Sequence, residues 1–223
     1  MITDDPGTPG SGHFENNFAV TFEHRPNEWL LETPQIDLNY GVGEHIQINL
    51  QTACVVLKRA NHGAVAGMGS TEAAVKWRFL DEEKAGVDMS MYPRIIFNVA
   101  QSSVRRGLSE AGTRFQIPFQ LAKKFGPLGL DVEFGPLTST VGRSEFLYGI
   151  VGGVEASKKT SIMAEVQATS RMNFDQQTIT LNAGWRHKLS EHCIWIASLG
   201  HEVRSPADEQ LALIGYCGVQ LLY

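Results

Sequence analysis

Residues 213–223 read LIGYCGVQLLY, and this stretch decides the class of the chain. Leu213, Gly215, Cys217, Val219, Leu221 and Tyr223 fall on one face of an extended segment; Ile214, Tyr216, Gly218, Gln220 and Leu222 fall on the other. Successive side chains of a strand point to opposite sides. An apolar outer face ending on an aromatic is what a barrel strand needs at a lipid–water boundary. A single such strand would equally close a soluble sandwich, so recurrence has to decide.

The pattern does recur. Phe14, Phe18, Val20 and Phe22 alternate with Glu15, Asn17, Ala19 and Thr21, and Ile36, Leu38, Tyr40 and Val42 alternate with Asp37, Asn39 and Gly41. In the cleanest run Ile46, Ile48 and Leu50 oppose the amides Gln47, Asn49 and Gln51. Further runs set Val75, Trp77 and Phe79 against Lys76 and Arg78, Ile95 and Phe97 against Arg94, and Phe115 and Phe119 against Arg114 and Gln120. Val132 and Phe134 oppose Asp131 and Glu133; Tyr148 and Ile150 oppose Glu145 and Gly149; Val166 opposes Glu165; Leu181 and Trp185 oppose Asn182 and Arg186. Residues 193–202 are apolar on both faces, and their orientation stays open. These runs make about twelve strands, each near the ~9–11 residues that cross a bilayer when tilted.

Connections give an independent check. Those at 43–44, 126–127, 156–159 and 190–192 read as short, with 81–88 somewhat longer, whereas 24–34, 57–70, 101–112, 136–143 and 172–177 read as long. Short and long alternate, with both termini on the short side, as in outer-membrane barrels with tight periplasmic turns and longer external loops. A soluble sandwich has no reason to alternate this way.

Bulk composition is compatible. Mean hydropathy is −0.14, and no segment approaches the ~20 apolar residues of a membrane helix. Inward polar residues at every second position dilute the hydropathy of barrel strands. A net charge of −5 without a Lys/Arg cluster argues against a nucleic-acid partner. Cys54, Cys193 and Cys217 have no metal-ligand spacing and read as small strand hydrophobes, with a Cys193–Cys217 disulfide a lesser alternative. The segment after Met1 is acidic and Pro/Gly-rich, so no signal peptide is expected in it; an exported chain would be a mature form.

No catalytic, cofactor or metal site emerges. None of the seven histidines falls in a two-histidine motif, Ser190 beside His192 is a poor nucleophile–base pair, and there is no GxSxG sequence. Residues 149–153 (GIVGG) lie within an alternating run, so they read as small residues relieving crowding inside a barrel, not as a phosphate loop. The inward charges carry more information. Glu15, Gln47, Lys76, Arg78, Arg94, Arg114, Glu133, Glu165 and Arg186 are the expected lumen-lining set. Arg or Lys facing lipid at the midplane would cost ~2–4 kcal/mol, which enforces the inward assignment. Lys76, Arg78, Arg94 and Arg114 come from three consecutive strands, and Asp131, Glu133, Glu145, Glu155 and Glu165 from the next three. Pairing that braces the wall is favoured over a transverse field selecting solutes. Twelve strands lie between the eight that side chains just fill and the 16–18 that leave an aqueous channel.

Residues 2–15 (ITDDPGTPGSGHFE), followed by 31–51 (LETPQIDLNYGVGEHIQINLQ), resemble the outer-membrane proteins of the MetA-pathway of phenol degradation family. The similarity continues as strand pattern, including 185–203 (WRHKLSEHCIWIASLGHEV). This resemblance implies an outer-membrane barrel of transporter type, with no catalytic residue and no settled substrate.

The expectation is therefore an all-β chain: a flexible N-terminal arm over 1–12, and over 13–223 a closed up-and-down antiparallel transmembrane β-barrel. Its place is the bacterial outer membrane, its partners are the lipid bilayer and small solutes, and its function is a narrow channel. A protein partner is open. The alternatives are a closed structural or docking barrel that binds a partner through its loops or arm, and a soluble ligand-binding barrel. The arm carries Asp4 and Asp5 and either frays, the favoured reading, or folds up into the basic side of the lumen as a plug.

Overall fold

The computed structural model describes residues 1–206 and 210–223. Its strands are β1 (Phe14–Arg25), β2 (Glu28–Val42), β3 (Ile46–Arg59), β4 (Val65–Met68), β5 (Ser70–Leu80), β6 (Asp88–Met91), β7 (Arg94–Asn98), β8 (Arg114–Gln116), β9 (Phe119–Phe125), β10 (Leu128–Ser139), β11 (Glu145–Ser157), β12 (Thr160–Arg171), β13 (Thr178–Lys188), β14 (Cys193–Arg204) and β15 (Leu213–Leu222). Two short helices, α1 (Glu82–Ala85) and α2 (Gln101–Arg106), sit in connections.

Three staves of the wall are each built from two strands. β3 pairs with both β4 and β5, β5 with both β6 and β7, and β10 with both β8 and β9. The result is a closed antiparallel barrel of twelve staves, sealed by β1 against β15 from Glu15↔Leu222 to His24↔Leu213. Pro93 and Pro118 mark two of the interruptions, because proline has no N–H to give the ladder. Register nonetheless carries through, with Tyr92 N donating to Pro118 O at 2.9 Å and Ile117 N to Pro136 O at 3.1 Å.

The short connections, the start of β1 and the end of β15 lie at one end of the barrel, where Phe14 N and Tyr223 O are 2.9 Å apart. Three connections expected to be long, 24–34, 57–70 and 136–143, are shorter: only Pro26 and Asn27 separate β1 from β2, residues 60–64 separate β3 from β4, and residues 140–144 separate β10 from β11. For 24–34 the reason lies in β2, where the register shifts between Glu32 and Gln35. A bulge puts two residues opposite one and breaks the alternation, so the strand appears to end while it continues.

The outer surface is apolar. Ile48, Leu50, Val75, Trp77, Ile150, Ile162, Val166, Leu181 and Leu199 are exposed on it. Aromatic pairs mark both ends: Phe14–Tyr40 and Trp185–Trp195, with centroids 4.7 and 5.4 Å apart, near the short turns, and Phe22–Trp29 and Phe146–Phe174 at 6.3 and 5.6 Å near the loops. β14 takes a definite orientation: Trp195, Leu199 and His201 face out, while Ile194, Ser198 and Gly200 are buried. Cys217 stands opposite Ala197 and Cys193 opposite Leu221, so register separates the two sulfurs and all three cysteines are free.

Candidate functional site: an arm-filled lumen

Twelve strands ~4.8 Å apart and tilted ~40° enclose a backbone circle of about 12 Å radius. Inward side chains from opposite walls leave room for little more than one extended chain. Residues 1–12 occupy that room.

The arm enters at the short-turn end, where Gly12 N donates to Gly41 O at 2.9 Å and Thr8 Oγ1 to Glu44 O at 2.9 Å. Two wall glycines make the space. A Cβ on Gly41 would lie 1.8 Å from Gly10 O, and one on Gly149 would lie 2.0 Å from Thr3 Oγ1. Glycine within a strand often marks such close approach of another backbone. The crowding that Gly149 relieves is therefore crowding by the arm itself.

Farther in, the arm meets both charge arcs. Ile2 N donates to Glu165 Oε2 at 2.9 Å, Thr3 N donates to Glu165 Oε1, and Asp4 N donates to Glu133 Oε2 at 3.3 Å. On the basic side Asp4 Oδ2 is 3.1 Å from Lys76 Nζ and 3.9 Å from Arg94 Nη2, and Lys76 Nζ donates to Asp5 O at 2.6 Å. Lys76 is 2% exposed. Burial of a charge at that depth is sustained only by paired, hydrogen-bonded partners.

Arg94 is held differently. Its guanidinium lies 3.1 Å from Glu133 and 3.7 Å from Glu72, both in the wall. Tyr92 is buried against both cations, with Lys76 Nζ 4.7 Å and Arg94 Cζ 4.3 Å from its ring centroid. Such placement over an aromatic face adds attraction, more so where water is displaced. Glu133 also accepts from Gln120 Nε2 at 3.1 Å, and Glu165 from Asn182 Nδ2 at 3.1 Å.

A second polar cluster lines β1 to β3. Asp37 accepts from Asn17, Asn39 and Asn49 at 3.0, 3.1 and 2.5 Å, and Gln47 donates to Asn39 Oδ1 at 2.5 Å. Near the short turns, Gln220 accepts from Arg186 and donates to Glu15. A recess of about 290 Å³ opens beside Arg186, Lys188, Ser161 and Ile194. Arg78 lies toward that rim, 3.2 Å from Asp81, and Arg114 toward the loops, 2.9 Å from Glu110. At the loop end the segment after α2 turns inward, and Leu108 packs on Val55 and Leu57.

The structure thus brings Lys76, Arg94, Glu133 and Glu165 together around the arm, places Gln47, Glu15 and Arg186 in neighbouring networks, and sets Arg78 and Arg114 at opposite rims. Tyr92, Glu72, Gln120 and Asn182 are further members. Parity with Arg94 was the available signal for Tyr92, but Pro93 hid the continuity of the stave.

No family model matches the chain, and no curated protein matches it in sequence. Solved structures do match. The crystal structure of the COG4313 outer membrane channel from Pseudomonas putida F1 aligns over 99% of this chain and 100% of that one, with a TM-score of 0.75 and 11% identity. The chain shares that barrel fold. A NanC porin structure aligns over 93% of this chain and 99% of its own, at TM-score 0.68 and 6% identity. The KdgM porin aligns over 92% and 98%, at TM-score 0.61 and 11% identity.

Proposed function

We propose that this chain is a bacterial outer-membrane channel of narrow bore for small solutes, its path governed by the N-terminal arm. One observation carries the reading: a polar, charged lumen inside an exposed apolar wall with aromatic pairs at both ends. That distribution suits a barrel with lipid outside and water inside. A soluble barrel would leave the same wall in water, and exposed apolar patches beyond a few hundred Å² are rare on soluble monomers. The short-turn end is then periplasmic and the arm enters from that side. Glu15, Gln47, Lys76, Arg78, Arg94, Arg114, Glu133, Glu165 and Arg186 line the path, and the resemblance to the MetA-pathway family agrees with a transporter role.

The arm and the Leu108 cap favour a second reading, a closed barrel that serves as a scaffold. Planar-bilayer recordings separate the two. A channel gives small steps for the intact chain and larger ones after deletion of residues 1–12. A scaffold gives none in either case.

A further inference from the structure

Lys76 differs from the other buried charges of the wall. Among the described residues, its ionic and hydrogen-bond partners are Asp4 and Asp5, both in the arm. Arg94 keeps Glu72 and Glu133 whatever the arm does, whereas Lys76 would face the lumen with no carboxylate of its own. Asp4 is held at two points: its N–H lies on Glu133 and its carboxylate on Lys76, with Arg94 near. The wall therefore reads a carboxylate and an N–H a few bonds apart, with the Tyr92 ring packed on both cations.

We propose that Lys76, Tyr92, Arg94 and Glu133 form a binding site for a small carboxylate solute bearing a neighbouring N–H, and that Asp4 occupies it as a built-in stand-in. The site rests on the channel reading, since such a solute reaches it only through the lumen. When the arm withdraws, the Lys76 ammonium loses its counter-charge, and a carboxylate solute restores it at a position whose other groups, Arg94, Tyr92 and Glu133, are already held in place by the wall. Solute and arm then compete for one position. Occupancy by solute would hold the arm out of this position and keep the path open to further solute.

The test is calorimetric titration of the full-length chain in detergent with N-acetyl-aspartate amide, a small molecule that carries both features of Asp4. D4A and D4N should bind it at least tenfold more tightly than the unaltered chain, because the competing carboxylate is gone. D4A should bind N-acetyl-asparagine amide at least tenfold more weakly than the aspartate probe, a comparison that needs no further variant. K76M combined with D4A should abolish the preference. Equal binding of the two probes by D4A, or no gain in either Asp4 variant, overturns the site. Bilayer recordings on the same preparations keep the failures apart: binding without conductance removes the channel and leaves the site, whereas conductance without binding does the reverse.

Discussion

Replacing Gly149 by valine tests the arm in its seat. The three atoms nearest to a Cβ at this position all belong to Thr3, at 2.0, 3.3 and 3.5 Å. Ordinary contact starts near 3.4 Å, so the side chain at position 3 must move by more than an ångström. An alanine leaves Thr3 the option of turning its hydrogen toward the wall; the two γ-carbons of valine remove that option. Thr3 N and Ile2 N both donate to Glu165, and hydrogen bonds to charged groups contribute about 1.5–3 kcal/mol each. Losing one of them lowers the ratio of seated to unseated arm by about 10–150-fold. The matched control is Gly152, on the same strand but facing out, where a Cβ would meet Leu130 Cδ2 at an ordinary 3.6 Å. G149V should raise single-channel current and expose the arm to protease, while G152V should leave both unchanged. If the arm of G149V is cut as slowly as that of the unaltered chain and its current is the same, the arm does not depend on this contact and the reasoning fails.

Three further outcomes follow from the same contacts. R94M removes a cation from between Glu72 and Glu133; because breaking a buried pair costs about 3–5 kcal/mol, its unfolding temperature in detergent should drop clearly, and an unchanged temperature would mean that these wall pairs do not brace the barrel. K76M should instead leave thermal stability nearly intact and release the arm, scored by protease cleavage within residues 1–12; a large fall in stability with the arm still protected would contradict the assignment of Lys76 to the arm. Cys54 and Cys217 are exposed on the outer wall, so in liposomes both should resist a water-soluble maleimide and react with a membrane-soluble one; rapid labelling by the aqueous reagent would show that the faces are reversed.

Alternation made the wall legible because it is local. Whether Ile46, Ile48 and Leu50 share a face is settled by the two-residue period of the chain, without reference to anything distant. The same period makes Lys76, Glu133 and Glu165 inward, since the opposite choice would put their charges into an apolar belt. It failed where the chain departs from that period: at the β2 bulge, which made one hairpin look like a loop, and at Pro93, which parted Tyr92 from Arg94. It was silent where both faces are apolar, as in β14, whose facing is set by pairing with Arg186 and Gln220 on its two neighbours.

By itself, then, the sequence determined an all-β barrel of about twelve staves, its outer and inner faces, and the charges available to the lumen. Tertiary structure decided which charges meet. Asp4 and Glu133 are 129 residues apart in the chain, and Ile2 and Glu165 are 163 apart. No periodicity spans such distances. Only closure of the barrel brings opposite walls within reach of one extended segment, and the glycines at 41 and 149 let that segment in. A terminus that sequence alone treats as free to fray thus finds hydrogen-bond and ionic partners in the lumen, because the closed wall leaves Lys76 and Glu165 in need of them.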